Sequence, residues 1–127
     1  MKALTKEWVE KAEQDRLVCE RELRVTRRAG LDAISFHAQQ CAEKYLKAVL
    51  QESGINFPKT HDLEELVDLL LAKFPQFGAH RIAARQLARH AVEVRYPGAG
   101  SLEFAGFASI RKSGCFIVAD RLGPPEC

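Results

Sequence analysis

Apolar residues recur at steps of three and four through most of the 127-residue chain, and glycine or proline interrupts the pattern at intervals. This spacing places apolar side chains on one face of an α-helix, whereas a half-buried strand would need strict alternation. The pattern predicts five helices, over about 5–28, 32–54, 60–75, 79–95 and 101–122. Their short connections favour antiparallel neighbours, so we expect an all-α, compact antiparallel bundle that forms a single domain over residues 1–127.

The second predicted helix is apolar on more than one face, which requires two neighbours or a subunit interface. We therefore expect it to be central in the bundle or to form a dimer through helices. Asp32 and Thr60 are the expected N-caps of the second and third helices, because their side-chain oxygens can accept backbone N–H groups. Cys19, Cys41 and Cys115 lie on apolar stripes and are expected to be buried, reduced thiols.

The composition excludes several classes of function. The formal net charge is only +2, so any basic surface must be a local arrangement. No apolar run is long enough to span a membrane, and the N-terminus is too rich in charges for a signal peptide. The cysteines form no CxxC pair, which argues against a metal site. We expect a cytoplasmic protein with no metal, no cofactor and no membrane partner.

The most informative polar residues lie in the stretch LARHAVEVRYPGAG, where the fourth helix must stop before Pro97-Gly98. A turn alone would need only the proline and glycine, yet Arg95 and Tyr96 precede them. Arginine offers a planar fork to a phosphate, and tyrosine offers a ring on which a base can stack. The alternative is that both residues close the helix end. The same helix carries a basic ridge of three arginines that lie one turn apart, Arg81, Arg85 and Arg89. This ridge either offers further phosphate contacts or is a solvated face.

Other polar residues have structural interpretations. Asp15 lies inside an apolar stripe, where a carboxylate needs a partner. We expect a structural ion pair with Arg111, which lies similarly in the fifth helix, and Arg95 is the competing partner. His37 is expected to be a satisfied interior or interface histidine. His61 and Asp62 lie at a helix start, where capping explains them.

Three stretches of this chain resemble the small prokaryotic HEPN domains. They are KAEQD (11–15), FHAQQCAEKYLKAVLQESGINFPKTHDLEELVDLL (36–70) and HAVEVRYPG (90–98). The resemblance implies a helical bundle that forms a homodimer, and a partner that is a minimal nucleotidyltransferase encoded nearby, often within a toxin–antitoxin module. It also implies a nucleotide or RNA ligand. We expect an interaction protein of this kind, with Arg95, Tyr96, Arg85 and Arg89 as the nucleotide-binding residues.

The alternative is a metal-independent, toxin-type ribonuclease that uses Arg85 and His90 across the dimer cleft. The nuclease branch of this family carries an Arg, then four to six intervening residues, then a His, near the start of the final helix. This sequence has no histidine after His90, although Arg85 and His90 satisfy the spacing. A five-residue offset on one helix turns two side chains about 140° apart, so they would not converge within one subunit. A structural adaptor without a ligand is the third hypothesis.

Overall fold

The computed structural model describes residues 2–24 and 31–93, without the side chains of residues 23, 31, 32 and 90–93. This part of the chain forms four α-helices, one 3-10 helix and no strand. The α-helices are α1 (Ala3–Leu23), α2 (Leu31–Glu52), α3 (Leu63–Leu71) and α4 (Arg81–Glu93), and the 3-10 helix (Pro75–His80) precedes α4. The all-α fold predicted from the sequence is confirmed. The predicted fifth helix, Cys115 and Arg111 lie outside the described residues.

The first two helices pack antiparallel. The contacts between them run in opposite order along the chain, from Thr5 with Glu52 to Cys19 with the carbonyl of Ile34. Ala12 is buried at the middle of this contact, and Cys41 and Tyr45 pack against it from α2. Cys19 and Cys41 are both buried, as their positions on apolar stripes predicted.

The larger part of the core lies on the other side of α2. Every buried residue of α3 is apolar, and these side chains pack against α2, α4 and the 3-10 helix. Full burial of a leucine side chain contributes about 1.5–3 kcal/mol. This core explains why α2 is apolar on more than one face: it packs against α1 on one side and against α3 and α4 on the other. The fully buried leucines are Leu46, Leu50, Leu63, Leu66 and Leu70.

Two predicted caps differ from the structure. The N-cap of α3 is Asp62 rather than Thr60: Asp62 Oδ1 accepts hydrogen bonds from the backbone N–H groups of Glu64 and Glu65. Thr60 supports this cap, because its hydroxyl accepts the N–H of Asp62. The interpretation of Asp62 as a capping residue is thus confirmed, and Thr60 lies two residues before it. The second helix begins at Leu31, so Asp32 lies within its first turn and is not its cap.

Gly54 and Pro75 lie at two of the predicted helix boundaries. Gly54 follows α2 with φ of +70°, a backbone conformation that side-chain-bearing residues rarely adopt. Pro75 starts the 3-10 helix, where its missing N–H needs no partner. This helix turns the chain back so that α4 packs on α2 and α3. None of the described helices is both long and apolar enough to cross a membrane.

Candidate functional site

The basic ridge predicted on the fourth helix begins at the start of α4 and faces α3. Arg81 Nη2 lies 3.4 Å from Asp68 Oδ2, and Arg85 binds Glu64. Arg81 and Arg85 thus contribute two positive charges opposite two carboxylates of α3. The third ridge residue, Arg89, is exposed one turn further along the helix. At Arg81 and Arg85 the ridge is therefore paired with acidic side chains and is not an uncompensated basic patch.

Arg85 makes the better defined of these pairs. Its Nε lies 3.1 Å from Glu64 Oε1 and its Nη2 lies 3.3 Å from Oε2, so both carboxylate oxygens are engaged. These hydrogen bonds hold the pKa of Glu64 below its usual value of 4.5 and raise the pKa of Arg85. The Arg85 side chain is still 66% exposed. An exposed pair of this kind adds little to stability, so a phosphate could compete for the guanidinium.

The helix that carries Arg85 also carries His90. The α4 helix runs without interruption from Arg81 to Glu93. On such a helix the five-residue offset separates the two side-chain directions by about 140°. Arg85 points to Glu64 on α3, whereas the side chain of His90 lies outside the described residues. Of the two residues of the alternative ribonuclease site, the structure therefore describes the side chain of Arg85 alone.

The predicted nucleotide-binding pair, Arg95 and Tyr96, also lies outside the described residues, so its proximity to Arg85 and Arg89 stays a prediction. The same holds for the predicted ion pair between Asp15 and Arg111. The structure does supply Asp15 with two other partners. Its Oδ1 lies 2.7 Å from His37 Nδ1, and its Oδ2 accepts a hydrogen bond of 2.5 Å from Lys44 Nζ.

This cluster explains a carboxylate on an apolar stripe. The Asp15 side chain is only 10% exposed, and α2 places His37 and Lys44 two turns apart so that both reach it. A buried carboxylate with two hydrogen-bonding partners is satisfied by these two contacts alone. His37 is accordingly a partly buried histidine with a structural partner. Its ring also packs edge-on against Phe36, with centroids 5.2 Å apart.

A second carboxylate cluster was not recognised in the sequence. Glu43 on α2 is nearly fully buried, and its Oε1 lies 3.1 Å from Lys47 Nζ and 2.5 Å from His61 Nδ1. The spacing of four between Glu43 and Lys47 was a visible signal for an intrahelical pair. The contact with His61 had no local signal, because 18 residues and the connection between α2 and α3 separate the partners. His61 thus lies beside the cap of α3 and also contacts the buried carboxylate of Glu43.

Neither cluster has the composition of a metal site. Among the residues described, no three histidine, cysteine, aspartate or glutamate side chains group closely enough to hold a metal ion. Each cluster instead combines one carboxylate with one histidine and one lysine. This chemistry suits ion pairing, hydrogen bonding and proton transfer.

Comparison with known proteins agrees with the motifs. Neither a curated protein nor a solved structure matches the chain. The family model of the HEPN domain matches residues 5–109, which include α1 from its third residue onward, all of α2, α3 and α4, and the RYPG stretch. A match over this much of the chain identifies the family: the protein belongs to the HEPN domain family.

Proposed function

We propose that this protein is a nucleic-acid-binding interaction module: one HEPN domain over residues 1–127 that binds a nucleotide or RNA. It acts with a minimal nucleotidyltransferase encoded nearby, in a toxin–antitoxin module. The observation that carries the proposal is the HEPN match over residues 5–109, since HEPN domains are in general nucleic-acid-binding or RNase-type domains. The nucleotidyltransferase and the toxin–antitoxin setting come from the resemblance of the motifs to small prokaryotic members of the family.

The proposed ligand contacts are Arg95 and Tyr96, with Arg85 and Arg89 as neighbouring phosphate contacts. The exposure of Arg85 supports this role, because a ligand can reach its guanidinium without unfolding any element. Its pairing with Glu64 supports it too, since the fork that holds a carboxylate in two-point geometry can hold a phosphate in the same way. Tyr96 would supply a stacking surface, which is tolerant of base identity.

The geometry of α4 favours binding over cleavage. A ribonuclease of the proposed kind needs a histidine that takes the 2′-hydroxyl proton and an arginine that stabilises the charged phosphorane. A five-residue offset on a continuous helix turns two positions about 140° apart, and Arg85 already binds Glu64. Cleavage would therefore need the two residues to meet across a dimer cleft.

We also propose a two-fold homodimer with α2 or α4 near its centre. Two large apolar side chains on these helices support this placement: Ile82 on α4 is 69% exposed and Phe36 on α2 is 42% exposed. A two-fold symmetric interface that contains these side chains would bury them in both subunits. The dimer and the nucleotidyltransferase contact are separate surfaces in this proposal.

The experiment that tests the binding function is a salt titration of RNA affinity. Arg95→Ala should weaken RNA binding and reduce the dependence of affinity on salt concentration, because one phosphate contact is lost. Tyr96→Ala should weaken binding with little change in the salt slope, since stacking releases no counterions. Lys6→Ala, an exposed lysine on α1, is the matched charge control. If Arg95→Ala and Lys6→Ala change RNA affinity and its salt dependence equally, Arg95 is not a ligand contact. Co-purification with the neighbouring nucleotidyltransferase tests the proposed partner.

A further inference from the structure

The contact between Glu43 and His61 joins a buried group to an exposed one. The Glu43 side chain is 3% exposed and the Lys47 side chain 8%, whereas the His61 side chain is 82% exposed. Glu43 already has the charged partner it needs in Lys47, at 3.1 Å. The imidazole is therefore an additional partner, held by one nitrogen while the rest of its ring faces solvent.

Neighbouring contacts fix both sides of this pair. Lys47 Nζ lies 5.3 Å from the ring centroid of Trp8, and Trp8 packs edge-on against Phe57 at 6.3 Å between centroids. On the other side, Asp62 caps α3 and so holds the backbone next to His61. The position of the imidazole is consequently determined by α1, α2 and the start of α3 together.

The partner of His61 determines which proton the neutral ring carries. A carboxylate that accepts from an ammonium group offers only acceptor lone pairs, so His61 Nδ1 must donate to Glu43. Neutral imidazole then has its lone pair on Nε2. Nδ1 is 2.5 Å from Glu43, so Nε2 is the nitrogen available at the exposed edge of the ring. His61 thus presents an oriented hydrogen-bond acceptor on the surface.

We propose that His61 accepts a hydrogen bond from a ribose 2′-hydroxyl of bound RNA. This inference rests on the proposed nucleic-acid function and assigns that function a second contact point. An acceptor nitrogen does not suit a phosphate oxygen, which is itself an acceptor. The exposed carboxylates of Asp62 and Glu65 on the same turn add negative charge, which further favours a neutral hydroxyl over a phosphate. The 2′-hydroxyl is the donor that distinguishes RNA from DNA.

The test compares binding of a single-stranded RNA with binding of a DNA of the same base sequence that carries deoxyuridine. His61→Asn is the informative variant, because its amide can still donate to Glu43 while the acceptor at the Nε2 position is lost. His80→Ala is the matched control, since that ring packs against Phe77 rather than on a carboxylate. Fluorescence anisotropy gives the six affinities, those of the parent protein and the two variants for each polymer.

We expect His61→Asn to lower RNA affinity about twofold to tenfold and to leave DNA affinity unchanged. His80→Ala should not alter the ratio of the two affinities. An equal loss for RNA and DNA would overturn the proposal, because His61 would then only hold the connection between α2 and α3. Unchanged affinity for both polymers would overturn it as well. A parent protein that binds neither polymer would contradict the nucleic-acid function itself.

Discussion

Glu64 on α3 and Arg85 on α4 form a two-point ion pair, with 3.1 Å between Nε and Oε1 and 3.3 Å between Nη2 and Oε2. The sequence predicted Arg85 as a ligand contact but not this partner. A phosphate that binds the Nε and Nη2 edge of Arg85 must therefore displace an acidic side chain. If Arg85 contacts the ligand as proposed, the strength of ligand binding should depend on Glu64, a residue that need not touch the ligand.

Release of Arg85 should strengthen RNA binding. Glu64→Gln removes the competing charge, so we expect higher RNA affinity and a steeper dependence of affinity on salt. Glu65→Gln is the control, because it removes the same charge from the next residue, whose carboxylate accepts from Thr60 instead of an arginine. Anisotropy titrations at several salt concentrations measure both quantities. Identical gains for the two variants would show that only general charge matters.

Stability should fall in acid through two glutamates whose pKa values are depressed. The backbone N–H of Lys2 and the hydroxyl of Thr5 lower the pKa of Glu52, and Arg85 lowers that of Glu64. A depressed folded pKa means that the stabilisation is present above about pH 4.5 and is lost as pH falls through the folded pKa. Urea midpoints between pH 7 and pH 3 should show this loss. Glu52→Gln should flatten the profile; an unchanged slope would contradict the assignment.

Asp15 should be important for folding. Asp15→Asn removes the negative charge between His37 and Lys44, and we expect a loss of about 1.5–3 kcal/mol in unfolding free energy, as for hydrogen bonds to charged groups. Glu10→Gln provides the comparison, since Glu10 is exposed on the same helix. Urea denaturation of both variants gives the difference. Equal midpoints for Asp15→Asn and the parent protein would rule out a stabilising role.

The dimer can be tested by size and by a single substitution. Light scattering should give twice the mass of the 127-residue chain at micromolar concentration. Ile82→Glu places a charge on the 69% exposed apolar side chain of α4 and should shift the protein toward monomer without unfolding it. Lys6→Glu, an exposed change on α1, should leave the mass unaltered. A monomeric parent protein would contradict the proposed dimer and would exclude catalysis across a dimer cleft.

Periodicity predicted the helices well because local pattern decides them. The stripe of Leu63, Leu66, Val67 and Leu70 is buried as expected, and α2 is central as its apolar faces required. Caps were less predictable, because Thr60 and Asp62 are both good capping residues and only the geometry of the turn decides between them. The 3-10 helix at Pro75–His80 was missed because its short span carries no periodic signal.

The sequence showed which polar residues need a partner but not which residues supply it. The apolar stripe showed that Asp15 needs a partner, yet His37 and Lys44 lie on another helix, and the pairing depends on how α1 and α2 align. Glu64 and Arg85 are 21 residues apart, and nothing in the sequence relates them. Long-range pairs of this kind depend on tertiary packing, which sequence spacing does not encode.

The most direct test of the account is the fate of RNA incubated with the purified protein in the presence of a metal chelator. A binding module should shift RNA in a native gel and leave it intact when the protein is removed. Loss of one general base typically lowers a rate by about 10²–10⁴, so a true ribonuclease would be separated clearly from its His90→Ala variant. We predict intact RNA with both the parent protein and His90→Ala. Metal-independent cleavage by the parent that disappears in His90→Ala would contradict the account and make the protein an enzyme.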